Sequence, residues 1–269
     1  MLIGARVERL KTLSEVGFKF DQSKENMLKY LKFTVTFTGA DDNTDPMELI
    51  KISKAYPFVE WGVLVPSYGV SRFPSETWVK QLVDLSQSEW PLINLSAHFC
   101  EPWVEDIIKD ADHLWFIQDY MGKDVFDAFK RIQLNFHGMP YQLLDSELSE
   151  KLSKFPGKQF IFQADALNTW ISESVDAPNA SVLLDNSHGA GIFNNNWKTF
   201  TKSYGYAGGL NIDTLPIAID EWRTQALGMD WIDIETGVRQ NGEFSTELVT
   251  EILEYLSIEG YIYSGKYRN

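Results

Sequence analysis

Two glycine-bearing segments near the end of the chain have the composition of an anion-binding site. They are residues 206–211 and 234–238, and each follows a strand-like run. Glycine lets backbone N–H groups approach a phosphate closely, because no Cβ stands in the way. A (β/α)₈ barrel builds its phosphate site from the loops after strands seven and eight. We therefore expect a phosphorylated small molecule as ligand, bound by Gly208, Gly209, Asn211, Thr236 and Gly237.

Acid and base candidates lie at the ends of other strand-like runs. Asp185 closes an apolar run, and a carboxylate at a barrel mouth is a candidate catalytic acid, although it would also suit a loop cap. Three histidines follow strand-like runs, and histidine titrates near physiological pH. They are His98, His137 and His188. We expect His98 or Cys100 to serve as a base opposite Asp185; the alternative is that these side chains cap loops or bond neighbouring carbonyls.

Other polar side chains were weighed in the same way. Gln133 alternates with apolar neighbours, so it is expected to point into a barrel and bind substrate. Asp41 and Asp42 follow the first run and are substitute bases, although a turn and a helix cap explain them too. A metal held by the three histidines and Asp185 is conceivable on ligand chemistry. No close ligand spacing supports it, so no metal and no cofactor are expected.

The elements that must position these groups alternate regularly along the chain. Apolar runs that end in turn residues predict eight strands, at residues 33–38, 60–65, 92–99, 131–136, 159–163, 181–184, 204–207 and 231–234. Helical patterns follow at residues 141–155, 215–227 and 246–256. Another helix should begin after Asp45 and Pro46, because proline suits the first position of a helix. The connection over residues 110–129 is long enough to hold an extra helix.

This alternation predicts a single α/β domain, a (β/α)₈ TIM barrel over residues 33–269, preceded by a polar helical extension at residues 1–32. An open doubly wound sheet gives a similar local pattern and is the alternative.

Composition excludes several classes of partner. The chain has 269 residues, 44% of them hydrophobic, and a formal net charge of −14. So acidic a protein is not expected to bind nucleic acid or an anionic membrane surface. Its single cysteine forms no intrachain disulfide, which fits a reducing cytoplasm. No apolar stretch is long enough for a signal peptide or a membrane span. The sequence leaves open whether the chain forms a homodimer.

The order of the motifs resembles phosphoribosylanthranilate isomerase, a tryptophan-pathway enzyme with the (β/α)₈ fold. The resemblance runs from about Phe33 to the C-terminus and is strongest from strand six onward. It rests on residues 62–65 with Ser71 and Arg72, residues 132–134, residues 183–185 with Gly189 and Gly191, residues 207–211, and residues 236–238.

The resemblance implies roles for particular residues. In that family the acidic residue ending strand six is the general acid, which corresponds to Asp185. The glycines after strands six, seven and eight hold the substrate phosphate, which adds Gly189 and Gly191. An arginine after strand two helps to fix the anthranilate part, which corresponds to Arg72. The family's general base is a strand-one cysteine followed by glycine, but here the pair is Thr38 and Gly39.

A threonine hydroxyl does not titrate near neutrality and cannot replace a thiolate as base. The sequence therefore predicts an Amadori-type sugar-phosphate isomerase that uses Asp185 as acid and a substitute base. Two alternatives are a binding protein that kept the phosphate site without catalysis, and a metal-dependent lyase or hydrolase.

Overall fold

A computed structural model describes residues 33–65, 71–88, 93–100, 103–187, 190–225 and 227–262 of the chain. The predicted helical extension at residues 1–32 lies outside the described residues. So do two of the candidate site residues, His188 and Gly189.

Eight parallel strands close into a barrel in sequence order, with the eighth strand paired to the first. They are β1 (Thr34–Thr38), β2 (Val59–Val65), β3 (Asn94–Phe99), β4 (Arg131–Leu134), β5 (Gln159–Ala164), β6 (Ala180–Leu184), β7 (Tyr204–Tyr206) and β8 (Trp231–Ile234). Closure confirms the predicted barrel over the open sheet. Each strand lies within two residues of its predicted limits.

Helices cover the outside of the barrel. They are α1 (Pro46–Ala55), α2 (Glu76–Ser88), α3 (Trp103–Lys109), α4 (Leu114–Met121), α5 (Lys123–Ala128), α6 (Leu148–Ser153), α7 (Ile171–Ser174), α8 (Leu215–Thr224) and α9 (Thr246–Ile258). Short 3₁₀ turns occur at Ala111–His113, Tyr141–Leu143 and Thr236–Val238, and a two-stranded hairpin joins β9 (Arg239–Gln240) to β10 (Glu243–Phe244). Within the described residues, every helix is too short or too polar to span a bilayer.

Local signals predicted the starts of three helices correctly, at Pro46, Leu215 and Thr246. The Asp45 carboxylate accepts from the N–H of Met47 at 2.9 Å, which begins α1 as predicted. The stretch 110–129 does hold extra helix, in α4 and α5. A continuous helix over residues 141–155 was wrong. There the Asp145 carboxylate bonds the N–H groups of Ala111 and Glu147, which ties the chain to the preceding turn and delays the helix to Leu148–Ser153.

The lower half of the barrel interior is filled and closed. Arg131 of β4 donates to Glu60 of β2 at 2.8 Å and stacks over the ring of Trp231 in β8, 4.2 Å from its centroid. Thr36 of β1 donates to the same Glu60 oxygen at 2.8 Å. A Cβ on Gly205 would lie 2.4 Å from the Trp231 ring, so only glycine leaves room for it. Open space for a ligand therefore lies above this layer, at the carboxyl ends of the strands.

Candidate active site

A cavity of about 280 Å³ opens at the carboxyl ends of the strands, the size of a small-metabolite site. Ten of the candidate residues line it: Arg72, His98, Cys100, Gln133, His137, Asp185, Gly191, Gly208, Gly209 and Thr236. Asn211 and Gly237 are not among the lining residues, and neither are Asp41 and Asp42. The described residues that line the cavity therefore come from β2 to β8 and the loops that follow them, and none comes from β1 or its loop.

Asp185 is held rigidly just after β6. One carboxylate oxygen accepts from the N–H of Ser187 at 2.9 Å and from its hydroxyl at 2.7 Å. The other oxygen accepts from Nε2 of Gln163 at 3.0 Å. A Cβ on Gly208 would lie 2.9 Å from the first oxygen, so the β7 loop passes directly beside the carboxyl group. This packing fixes the carboxyl against one wall of the cavity.

A second carboxyl group, Asp233 of β8, lies on the cavity floor and was missed by the sequence analysis. It accepts from the Thr38 hydroxyl at 2.7 Å and from Nε2 of Gln133 at 3.3 Å. Burial raises the pKa of Asp233 to about 6; the two hydrogen bonds lower that pKa, while the nearby Asp185 charge raises it. Such a carboxyl group exchanges protons near neutral pH.

A signal for Asp233 was present in the sequence. Trp231, Asp233 and Glu235 alternate with Ile232 and Ile234, so one face of β8 is polar at its carboxyl end. The run was predicted only as a strand, and its polar face was not assigned a role.

His98 is completely enclosed beneath the cavity. Its Nε2 lies 3.1 Å from the Ser96 hydroxyl, and its Nδ1 lies 3.3 Å from Nε2 of Gln133. A Cβ on Gly62 would lie 2.7 Å from the ring, so the imidazole packs against the backbone of β2. Burial lowers the pKa of His98 to about 3, partly opposed by Glu60. The ring is therefore neutral and a weak base at pH 7.

Cys100 and His137 lie nearer the rim. The Cys100 sulfur is 3.7 Å from Nδ2 of Asn135. Nδ1 of His137 is 3.4 Å from the buried carboxylate of Asp165, which also accepts from the N–H of Asn168 at 3.0 Å. In the part of the chain that the structure describes, no three His, Cys, Asp or Glu side chains converge as a metal site.

Arg72 pairs with a carboxylate of the β8 loop. Its guanidinium donates to Glu235. Burial raises the pKa of Glu235, and the Arg72 charge opposes that rise. Glu235 follows Asp233 by two residues, so β8 presents two acidic groups to the mouth. Among the described residues that line the cavity, Arg72 is the one arginine, and it is already paired.

Three consecutive residues of the β7 loop, Gly208, Gly209 and Leu210, line the cavity. Gly208 and Gly209 both have left-handed backbone angles, with φ of +97° and +65°. Among the described residues, no hydrogen-bond acceptor is paired with the N–H of Gly208, Gly209 or Leu210. Successive backbone N–H groups in a turn form anion-binding concavities called nests, and this glycine turn is the candidate nest of the site. The nest lies beside Asp185.

The other predicted phosphate residues shape the loops around this nest. The Asn211 side chain accepts from the N–H of Asp213 at 2.8 Å and of Thr214 at 3.0 Å, which orders the start of α8. A Cβ on Gly237 would lie 2.1 Å from the Leu210 carbonyl oxygen, and one on Gly191 would lie 2.2 Å from the Thr236 hydroxyl. The loops after β6, β7 and β8 are therefore packed against one another.

Comparisons with known proteins bear on the fold. No protein-family model matches the chain, and no curated protein matches it. The phosphoribosyl anthranilate isomerase structure from Thermus thermophilus superposes with a TM-score of 0.54 at 15% identity, covering 84% of this chain and 100% of that one. The Pyrococcus furiosus N-(5′-phosphoribosyl)anthranilate isomerase gives 0.53 at 16% identity, covering 84% and 99%.

A third isomerase structure was determined in complex with reduced 1-(o-carboxyphenylamino)-1-deoxyribulose 5-phosphate. It gives a TM-score of 0.50 at 16% identity, covering 82% of this chain and 97% of that one. The resemblance drawn from the motifs is thus confirmed at the level of the fold: this chain is an eight-stranded α/β barrel built like the phosphoribosylanthranilate isomerase structures.

Proposed function

We propose that this protein is an isomerase that converts a phosphorylated aldosylamine into the corresponding 1-amino-1-deoxyketose, an Amadori rearrangement. The observation that carries the proposal is the shared cavity: Asp185 and three consecutive residues of the β7 loop, Gly208, Gly209 and Leu210, line the same space. The amides suit a phosphate, and the carboxyl group lies where it can reach the attached sugar. The likeness of the fold to the isomerase structures supports this assignment.

Phosphate binding would fix the position of the sugar. The nest compensates for the acidic character of the chain, because its N–H groups act at short range while the net charge of −14 acts through screened solvent. With the phosphate held there, the attached sugar would lie in the cavity that Asp185 also lines. Holding the reacting atoms in this way is itself a large part of catalysis.

Asp185 would act as the general acid. In its protonated form it donates to the ring oxygen, the C1–O bond breaks, and the nitrogen lone pair forms a C1=N iminium. The hydrogen bonds from Ser187 and Gln163 hold the carboxyl group in place for this transfer. The rearrangement is internal to the substrate, so it consumes no cofactor.

The assignment is tested with N-(5′-phosphoribosyl)anthranilate as substrate. Asp185→Asn is expected to lower kcat by about 10²–10⁴-fold, the usual contribution of a general acid. Binding of inorganic phosphate should persist, because the β7 amides are unchanged. Asp176→Asn is the matched control, since its side chain is 99% exposed at the opposite end of the barrel, just before β6.

Unchanged turnover in Asp185→Asn would end the assignment of the acid. A binding protein without catalysis makes a different prediction: a phosphorylated compound, identified by mass spectrometry after co-purification, is released unaltered after long incubation. A small phosphorylated metabolite remains the expected partner in either case.

A further inference from the structure

We infer that Asp233 is the general base of this site, taking the place of the strand-one cysteine used by the enzymes the chain resembles. The inference rests on the proposed isomerase function. It assigns the proton abstraction at C2 of the sugar, for which the Thr38 side chain has no suitable acid–base chemistry.

Position is the first argument. The barrel closes by pairing β1 with β8, and Thr36 is in register with Asp233. The carboxyl group of Asp233 therefore lies beside the end of β1, with its oxygen 2.7 Å from the Thr38 hydroxyl. A carboxylate at position 233 of β8 can thus lie close to the place where a basic side chain at position 38 of β1 would lie.

Orientation is the second argument. Thr38 and Gln133 hold the carboxyl group from β1 and from β4 across the barrel. Gln133 is itself held by Asn135, whose side-chain oxygen lies 3.1 Å from its Nε2. His98 fills the space behind them as a neutral ring, with Nδ1 4.0 Å from the carboxylate. Held by these contacts, Asp233 lines the cavity.

Complementarity with Asp185 is the third argument. A rearrangement of this type requires one group that gives a proton to oxygen and another that takes a proton from carbon. Asp185 and Asp233 line one cavity from the ends of β6 and β8, which are separated by only β7, and the Asp185 charge raises the pKa of Asp233. Burial and the neighbouring charge weaken the acidity of Asp233, which makes its carboxylate a stronger base than an exposed one.

The step balances without a further reactant. The Asp233 carboxylate takes the C2 proton of the iminium; the C2–H electrons form the C1=C2 bond, and the C1=N electrons return to nitrogen. Asp233 then gives its proton to C1, while the Asp185 carboxylate takes the proton of the C2 hydroxyl. The product is the 1-amino-1-deoxyketose, and both carboxyl groups regain their initial states.

Isotope effects distinguish the two carboxyl groups. The experiment uses N-(5′-phosphoribosyl)anthranilate with hydrogen or deuterium at C2 of the ribose. Asp233→Asn is expected to lower kcat by at least about 10²-fold. Asp233→Glu should keep residual activity with an increased deuterium effect, because a displaced base makes proton abstraction slower. In Asp185→Glu the deuterium effect should fall, because ring opening becomes limiting.

An increased effect in Asp185→Glu, or Asp233→Asn activity within threefold of the wild-type rate, would overturn the inference. Binding of the reduced 1-(o-carboxyphenylamino)-1-deoxyribulose 5-phosphate, measured by calorimetry, reports whether each variant keeps a folded site.

A labelling experiment tests the base without turnover. Glycidol phosphate carries a phosphate and an epoxide, and a carboxylate that attacks the epoxide carbon opens the C–O bond and forms an ester. We expect the ester on Asp233, with inorganic phosphate slowing the labelling. An ester on Asp185 alone, or no ester, counts against the inference.

The two experiments keep the hypotheses apart. Labelling of Asp233 with no isomerisation of the sugar amine would refute the proposed reaction but not the basic carboxylate. Turnover that requires Asp185 but not Asp233 would refute the base and leave the reaction standing.

Discussion

Asp233→Asn is expected to stabilise the folded chain at neutral pH while it removes activity. The carboxyl group is 8% exposed, and its pKa of about 6 lies above its ordinary value of 3.8 because burial disfavours the charged form. Ionisation of this group in the folded chain therefore costs about 3 kcal/mol relative to the unfolded chain, since one pKa unit corresponds to about 1.4 kcal/mol.

The direction in which stability changes with pH follows from the protons that each state binds. Below about pH 4 both states hold the proton, and Asp233 has no effect on the pH dependence of stability. Between about pH 4 and pH 6 the folded chain keeps a proton that the unfolded chain has released, so stability falls as the pH rises. Above pH 6 the whole cost applies. Asparagine carries no charge, so the variant should not show this fall.

Changes in hydrogen bonding reduce the stability that Asp233→Asn gains. The asparagine oxygen can still accept from Thr38, but its NH₂ group would face Nε2 of Gln133. Rotating the Gln133 amide solves this conflict and sacrifices its bond to Asn135, at a cost of about 1 kcal/mol. The net expectation is a variant more stable than wild type by about 2 kcal/mol at pH 7, and slightly less stable at pH 4.

Urea unfolding from pH 4 to pH 8 provides the measurement, because the midpoint changes with stability when the slope stays constant. The exposed Asp176→Asn serves as control and should follow the wild-type curve within about 0.5 kcal/mol. A difference between Asp233→Asn and wild type that does not change from pH 4 to pH 7 would refute the reasoning about this carboxyl group.

Two further changes probe the barrel interior. Thr38→Val removes the hydroxyl group that stabilises the charged form of Asp233, so the pKa of Asp233 should rise. The acidic limb of the pH profile of kcat/KM should therefore move to higher pH. An acidic limb that stays in place or moves to lower pH would contradict the hydrogen bond assigned between Thr38 and Asp233. Gly205→Ala places a Cβ about 2.4 Å from the buried Trp231 ring and should destabilise the fold by about 1–3 kcal/mol, measured by thermal unfolding; an unchanged Tm would show that the ring can move aside.

The architecture was largely accessible from local patterns. Runs of apolar residues that end in turn residues gave the strands, and the limits of β8 were predicted at Trp231–Ile234, as observed. Pro46 after an aspartate cap gave the start of α1. These signals are local, because a strand or helix end depends on neighbours in the chain. The helix expected over residues 141–155 was wrong because its backbone competes with a distant partner, the turn at Ala111.

The site was less accessible because its contacts join distant segments. Arg72 and Glu235 are 163 residues apart, so the ion pair made by this cavity-lining arginine is not visible in the sequence. Asn211 has a side chain suited to a ligand, yet loop geometry directs it to the amides before α8. Only the closed barrel brings Asp233 beside Thr38, which single-sequence patterns do not encode.

The burial of Asp233 also helps to distinguish an enzyme from a protein that only binds its ligand. A protein that only holds a phosphorylated ligand has no use for an ionisable group on the cavity floor, and an asparagine would accept the Thr38 hydrogen bond without the cost of burying a charge. That cost, about 3 kcal/mol at neutral pH, is a large part of the stability of an ordinary domain. Proteins retain such destabilising groups chiefly where chemistry requires them. The threonine at the strand-one position therefore does not indicate that catalysis was lost, because the neighbouring strand supplies a carboxylate whose oxygen lies 2.7 Å from the threonine hydroxyl.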